Sequence, residues 1–344
     1  MKKWMMVITA CVLLLAMTAC GKRGALSEKS EGGEAEKQET YTLRIAHLVP
    51  EEHSSHVAAL KMKETIETKS DGRIKVELYP NGSLYGSDRE AVEAVQLGNV
   101  EATIPAVAAL SGFNKKFMVL DLPFLFNSRE SAFKALDGEL GQELLKDLEG
   151  NGFKGLVFAE NGFRHMSNNK QPITQPADLK GLKMRTLETP VHTDTFNAFG
   201  ANASPFAFGE LYTALQQNTF DAMECPVSLY YTNKFYEVQK YLTLSGHVYA
   251  STMFLTNLDF YNSLPDDLKK IMDEASIEFR EYQRQLSAEQ DAKFLNELKK
   301  NGMEVNELTP EQKEAFRQAA LPIYDKYASE IGEDLIEMAK KANE

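Results

Sequence analysis

The chain has 344 residues, with 50 Asp or Glu against 38 Lys or Arg and a formal net charge of -12 at pH 7. So acidic a surface argues against nucleic acid or an anionic membrane face as the partner, yet leaves room for a local cationic site. The body of roughly 300 residues is long enough for two lobes with separate cores.

Residues 1–19 read as a signal peptide. Lys2 and Lys3 precede an apolar run through Val7, Ile8 and Val12 to Met17, too short to span a membrane durably. Met17-Thr18-Ala19-Cys20 resembles the lipobox of bacterial lipoproteins, which implies cleavage before Cys20 and lipidation of its thiol. The expected location is therefore extracytoplasmic or periplasmic, with a lipid anchor to a membrane surface. Cys11 leaves with the leader, Cys225 remains as the one free thiol, and no intrachain disulfide is expected. Residues 20–40 hold little to bury and read as the lipidated N-terminus and a flexible tether. No later apolar stretch approaches the length of a membrane-spanning helix.

Alternation at Leu43 and Ile45 predicts a strand over 41–49, and Ala59, Met62 and Ile66 predict a helix over 53–67 that stops at Asp71-Gly72. Ile74, Val76 and Leu78 mark a second strand, and Val92 and Val95 a short helix over 88–97. Phe133, Leu136, Leu140 and Leu144 mark the next helix, and a short buried strand follows at 155–159. Beyond Asn161 the pattern gives strands at 182–186 and 220–223 and helices at 191–199 and 210–217. After Pro265 a helical period runs from Leu268 to Leu298, as one long helix between lobes or as a kinked pair on one lobe. Thr309-Pro310-Glu311-Gln312 has the form of an N-cap with proline at N1, opening a last helical region through Met338. The repeated alternation predicts an α/β fold with helices covering a largely internal sheet.

Arg164 and Arg185 stand just outside apolar runs in this acidic chain. A guanidinium stays charged and presents a rigid fork that fits both oxygens of a carboxylate, so two converging on a cleft would clamp an acid. Either one could instead pair with one of the abundant surface carboxylates. His47, Asp88, Arg89, Glu90 and Glu93 form a polar first-lobe edge that suits ligand hydroxyls, although Glu90 and Glu93 also fit a solvent-facing helix side. His53 and His56 lie three apart, but nothing completes a metal site, and no metal or cofactor is expected. Gly82-Ser83-Leu84-Tyr85-Gly86 lacks the spacing and lysine of a phosphate loop. Tyr230 and Tyr231 are placed either to cap the cleft or to pack in the core.

The segments Asn161-Gly162-Phe163-Arg164, residues 179–185, residues 206–216 and Asp221-Ala222-Met223-Glu224-Cys225-Pro226 resemble successive signatures of the DctP-type solute-binding proteins of tripartite ATP-independent periplasmic (TRAP) transporters. Pro80-Asn81-Gly82, Asp88-Arg89-Glu90 and residues 120–126 match in order, so the likeness covers the chain after Thr40. The resemblance implies a two-lobe periplasmic binding protein that closes over an organic acid, with a long helix across the domains. It implies Arg185 as the principal carboxylate pair, Arg164 as a second contact and Phe208 as an aromatic wall. Lobe one would comprise 41–162 plus 250–289, and lobe two 163–249 plus 290–344.

Cys225 stands where the family commonly has an asparagine that holds the ligand. A thiol is a weak donor and acceptor, so it either alters which acid fits or packs as a small hydrophobe. No pattern supplies a histidine base, and no enzyme is expected. The implied partners are TRAP membrane subunits and a small organic acid, a uronate or aldonate rather than the alternative C4-dicarboxylate. A ligand-sensing receptor lipoprotein would keep the same cleft.

Overall fold

A computed structural model describes residues 39–344; the leader, Cys20 and nearly all of the tether lie outside the described residues. The first half alternates as its apolar periods require. Strands β1 (Tyr41–Ala46) and β2 (Ile74–Tyr79) pair in parallel across helix α1 (Ser54–Lys69), with Leu43 opposite Val76. Helix α2 (Asp88–Gln96) is capped by Ser87, whose hydroxyl accepts from the Glu90 amide, and leads to the two-residue strand β3 (Ala102–Thr103).

The run marked by Phe133 to Leu144 is two helices, α3 (Arg129–Asp137) and α4 (Glu139–Asp147), and not one. They meet so closely that a Cβ on Gly141 would stand 1.8 Å from the Leu136 carbonyl, which only glycine tolerates.

The largest departure from the expected elements is the middle of the sheet. Strand β4 (Phe153–Asn168) has 16 residues and strand β8 (Tyr241–Asn257) has 17, where a typical strand has about 5–6. They pair antiparallel from Phe153↔Asn257 to Asn168↔Tyr241, with register shifts at Gly155/Val157, Glu160/Gly162 and Arg164/Met166. Such irregularities bend a long strand pair and re-aim its side chains. Between β4 and β8 lie β5 (Lys183–Thr186), α5 (Pro190–Ala198), β6 (Asn202–Pro205), α6 (Leu211–Gln216), β7 (Ala222–Pro226) and α7 (Val227–Thr232). The sheet order is β2-β1-β3-β8-β4-β7-β5-β6, so β3, β1 and β2 hang on one end of the long pair and β7, β5 and β6 on the other. Two α/β lobes therefore share two continuous strands.

After α8 (Leu258–Ser263), the expected long helix is a single uninterrupted one: α9 (Asp266–Lys300) has 35 residues, about 50 Å at 1.5 Å per residue. Its Met272, Ala275 and Phe279 share a core with Leu43, Ile66 and Val76, while its Phe294 and Leu298 share another with Leu211, Met223 and Leu242. Midway, Gln283 is buried and bonds both ways with the backbone of Glu160, at 2.8 and 2.7 Å. The helix thus ties both ends of the long strand pair.

Strand β9 (Glu304–Glu307) adds to β8, and Thr309 and Gln312 close a capping box on α10 (Pro310–Ile331). Gly332, at φ +103°, separates α10 from α11 (Glu333–Lys341). Phe316 packs with Met184 and Phe199, whereas Ile331, Leu335 and Ala339 pack with Leu120, Leu140 and Leu144. The tail assigned to lobe two from sequence divides its packing between both cores. No described helix is long and apolar enough to cross a membrane.

Candidate functional site

Register brings the arginine region together. Met166 of β4 lies opposite Glu224 of β7, and β7 pairs in turn with β5 at Met184↔Ala222, next to Arg185. Both arginines are fully buried, at 1% exposure each.

Arg164 is already paired. Its Nε donates to Glu224 Oε2, and its Nη2 donates to Glu224 Oε1 at 2.9 Å and to the Glu224 carbonyl at 2.8 Å. Burial alone would raise the Glu224 carboxyl, but the Arg164 charge, aided by His192 and His247, holds it well below the usual carboxylate range.

Arg185 has no such partner. Its Nε and Nη2 both donate to the Phe206 carbonyl, at 2.9 and 2.8 Å, and its Nη1 is buried without a hydrogen bond. The guanidinium carbon lies 5.8 Å from the centre of the Phe208 ring. Burial lowers its pKa to about 10, against the pull of Glu224, so it remains charged at neutral pH. A buried cation with an idle donor is costly unless an anion completes it.

Arg164 and Phe208, though not Arg185 itself, are among the walls of a cavity of about 30 Å³, together with Asp88, Asn161, Leu187 and Thr252. Asn161 Oδ1 and Thr252 Oγ1 are buried without partners. Burial pushes the Asp88 carboxyl up to about 7, opposed by the Ala106 amide and by the Arg185 and Arg164 charges. The shift lets this carboxyl hold a proton at a higher pH than an ordinary aspartate.

The other residues singled out from sequence stand elsewhere. His47 is buried with Nε2 3.0 Å from His56 Nδ1 and does not line the cavity; burial and the neighbouring His56 lower its pKa to about 3. Arg89, Glu90 and Glu93 are exposed on α2, where Glu90 accepts the Gly86 amide at 2.8 Å. Cys225 lies opposite His165 with its side chain in an apolar core beside Leu211 and Met223, and its thiol donates to the Pro226 carbonyl at 3.4 Å. Tyr230 is buried with its hydroxyl donating to the His165 carbonyl at 3.0 Å, and Tyr231 stacks on Phe294 at 4.4 Å. Among the described residues no cluster of His, Cys, Asp or Glu could hold a metal ion.

Several polar residues at the site carried no separate signal in the sequence. Glu224 was visible within a motif, but only the β4–β7 register reveals it as the partner of an arginine 60 residues away. His192 and Asp121 face one another with Nε2 and Oδ1 3.5 Å apart, and His192 Nδ1 lies 3.7 Å from Glu224 Oε1. His247 Nε2 is 3.3 Å from Glu224 Oε2.

Residues 45–330 match the family model DctP, described as bacterial extracellular solute-binding protein, family 7. The C4-dicarboxylate-binding periplasmic protein DctP of Rhodobacter capsulatus is 37% identical over 306 residues, 88% of this chain and 91% of that one. The sugar acid binding protein DctPAm of Advenella mimigardefordensis, solved in complex with galactonate, superposes with a TM-score of 0.86 at 34% identity, covering 88% of this chain and 99% of the other. A TRAP periplasmic solute binding protein from Polaromonas sp. JS666, solved with D-erythronate, gives a TM-score of 0.84 at 37% identity, covering 88% and 98%.

Proposed function

This chain belongs to the DctP family of bacterial extracellular solute-binding proteins, and on that premise we propose that it captures a hydroxylated carboxylic acid of the aldonate or uronate class and delivers it to the membrane subunits of a TRAP transporter. It is a periplasmic solute-binding protein for small organic acids, and not an enzyme.

The single observation that carries the reading is Arg185, a buried guanidinium with an unpartnered Nη1 and, among the described residues, no carboxylate within ion-pairing distance. The acid's carboxylate takes that donor as its principal contact, and the Nη1 of Arg164, left over from the Glu224 pair, supports the other oxygen. Phe208 forms an aromatic wall, and Asn161, Thr252 and Asp88 offer partners to hydroxyls. Hydroxyls favour the sugar-acid class, because the two uncharged orphan oxygens of Asn161 and Thr252, beside the Asp88 carboxyl, suit groups that both donate and accept. A C4-dicarboxylate is the competing ligand, as the name of the Rhodobacter capsulatus relative indicates.

Lobe one takes 41–162 plus 250–289 and lobe two 163–249 plus 290–344, although the last turns of that tail pack against lobe one; Gly162 and Ala250 are register partners beside the irregularity at Glu160/Gly162, a natural place to flex. The acid bridges the lobes and shifts the population toward the closed form, which the membrane subunits distinguish from the empty one. Lipidation at Cys20 and the following tether hold the protein at a membrane surface.

Thermal unfolding with aldonates, uronates and C4-dicarboxylates tests the assignment. A binding acid raises the transition temperature by mass action, and a response confined to amino acids or peptides overturns the reading.

A further inference from the structure

Behind Leu187 and Ala106, both walls of the main cavity, lies a second, smaller space of about 10 Å³, lined also by Asp121, His192, Ala250 and Ser251. Asp121 ends a 3-10 turn over Lys115–Asp121, and His192 occupies the first turn of α5, so the space lies where two separate segments meet. Both side chains are almost wholly buried, at 4% and 2% exposure. Asp121 Oδ2 has no hydrogen-bond partner among the described residues, while the two ring nitrogens of His192 face Asp121 Oδ1 at 3.5 Å and Glu224 Oε1 at 3.7 Å, beyond a close hydrogen bond. Buried polar atoms are nearly always satisfied, so an orphaned carboxylate oxygen and a loosely held imidazole at one space point to a group that arrives with the ligand.

We infer that Asp121 and His192 form the specificity-determining end of the cleft, where one hydroxyl of the bound acid donates to Asp121 Oδ2 and accepts from His192, and where a second carboxylate is refused. The inference rests on the organic-acid reading above and adds which end group is selected. Hydrogen-bonding chemistry supports it: an Asp121 oxygen left without a donor pairs with a hydroxyl, whereas a second carboxylate brings only acceptors. Asp121 and Glu224 hold His192 above its ordinary pKa against the effect of burial, which keeps a ring N–H available to donate.

The test is calorimetry on the purified protein with D-erythronate, galactonate, the monodeoxy analogues of each, and succinate. At least one monodeoxy analogue should bind about 10- to 100-fold more weakly than its parent. In Asp121→Ala that gap should close, and succinate should bind as well as before or better. Asp121→Asn preserves the shape should the alanine variant unfold; it removes the negative charge and should raise succinate affinity about tenfold. Undiminished discrimination against both the deoxy analogue and succinate in a folded Asp121 variant overturns the inference. Arg185→Ala separates the two levels, because it should abolish binding of every acid whether or not Asp121 selects among them. Failure of the unaltered protein to bind any of these acids overturns the underlying reading and this inference with it.

Discussion

Glu224 reaches across from β7 and closes a two-point fork on Arg164, with Nη2 donating to Oε1 at 2.9 Å and to the Glu224 carbonyl at 2.8 Å. Arg185, one strand further along the sheet, shares neither of these bonds and spends two of its nitrogens on a single carbonyl. The two arginines of an acidic chain therefore differ in kind: one is neutralised by a carboxylate of the fold and the other is held by a carbonyl, with one donor nitrogen unpartnered among the described residues.

Breaking the internal pair should be expensive. Glu224→Ala leaves the Arg164 charge buried without its partner, and urea unfolding should show a loss of about 3–5 kcal/mol. A loss under about 1 kcal/mol would mean that water reaches Arg164 in the folded protein.

Asp88 gives a pH signature with a definite sign. Its carboxyl is raised by burial from the ordinary 3.8 to about 7, so the folded state retains a proton that the unfolded chain releases. Its contribution to stability is full below about pH 4 and is lost as the pH rises through 7. Asp291, raised by burial to about 6, acts in the same direction, whereas His47 and His53, lowered by burial to about 3 and 4, oppose it. The difference between the wild type and Asp88→Asn isolates the group. The stability of Asp88→Asn relative to wild type should rise between pH 5 and pH 8 by on the order of 1–2 kcal/mol. A pH-independent difference would show that Asp88 titrates normally.

Gly162 sits at φ +111° in the bent stretch of β4 that both lobes share. An added Cβ would meet Pro226 Cβ at 3.5 Å and Asp291 Oδ2 at 3.6 Å, so space is adequate and the backbone angle is the obstacle. Gly162→Ala should cost about 1–2 kcal/mol in unfolding experiments. It should also change the ligand-induced decrease in radius of gyration seen by small-angle scattering. A variant with unchanged stability would place the backbone outside the strained region.

Cys225 should be chemically silent. Burial pushes its thiol well up from the ordinary value and its side chain is sealed in an apolar core. Labelling with a disulfide reagent at pH 8 should be negligible in the folded protein and complete in urea. Rapid labelling without denaturant would mean that the cleft opens as far as Cys225.

Much of this architecture is legible in the chain. The parallel pair carrying Leu43 and Val76, the cap at Thr309 and the unbroken period from Leu268 to Leu298 are local patterns, and local patterns survive folding. The middle of the sheet is less legible. From Ala250 to Asn257 every residue but Ala250 is buried, which erases the alternation that marks a strand, and Gly246 interrupts the remainder. The arginines stand out because charge is rare beside apolar runs. Which of them is free depends on Glu224, 60 residues from Arg164, and Asp121 and His192 meet only through tertiary packing. His47, Arg89, Glu90 and Glu93 show the limit of arguing from proximity in sequence: one faces another histidine and three face solvent.

Calorimetric titration of a recognised acid into wild type, Arg185→Ala and Arg185→Lys tests the central claim most directly. Each variant should melt within a few degrees of wild type. Arg185→Ala should lose about 100-fold or more in affinity, and Arg185→Lys should lose most of that as well, because an ammonium cannot reproduce the planar fork. Wild-type affinity in both folded variants would contradict the assignment of Arg185 as the clamp.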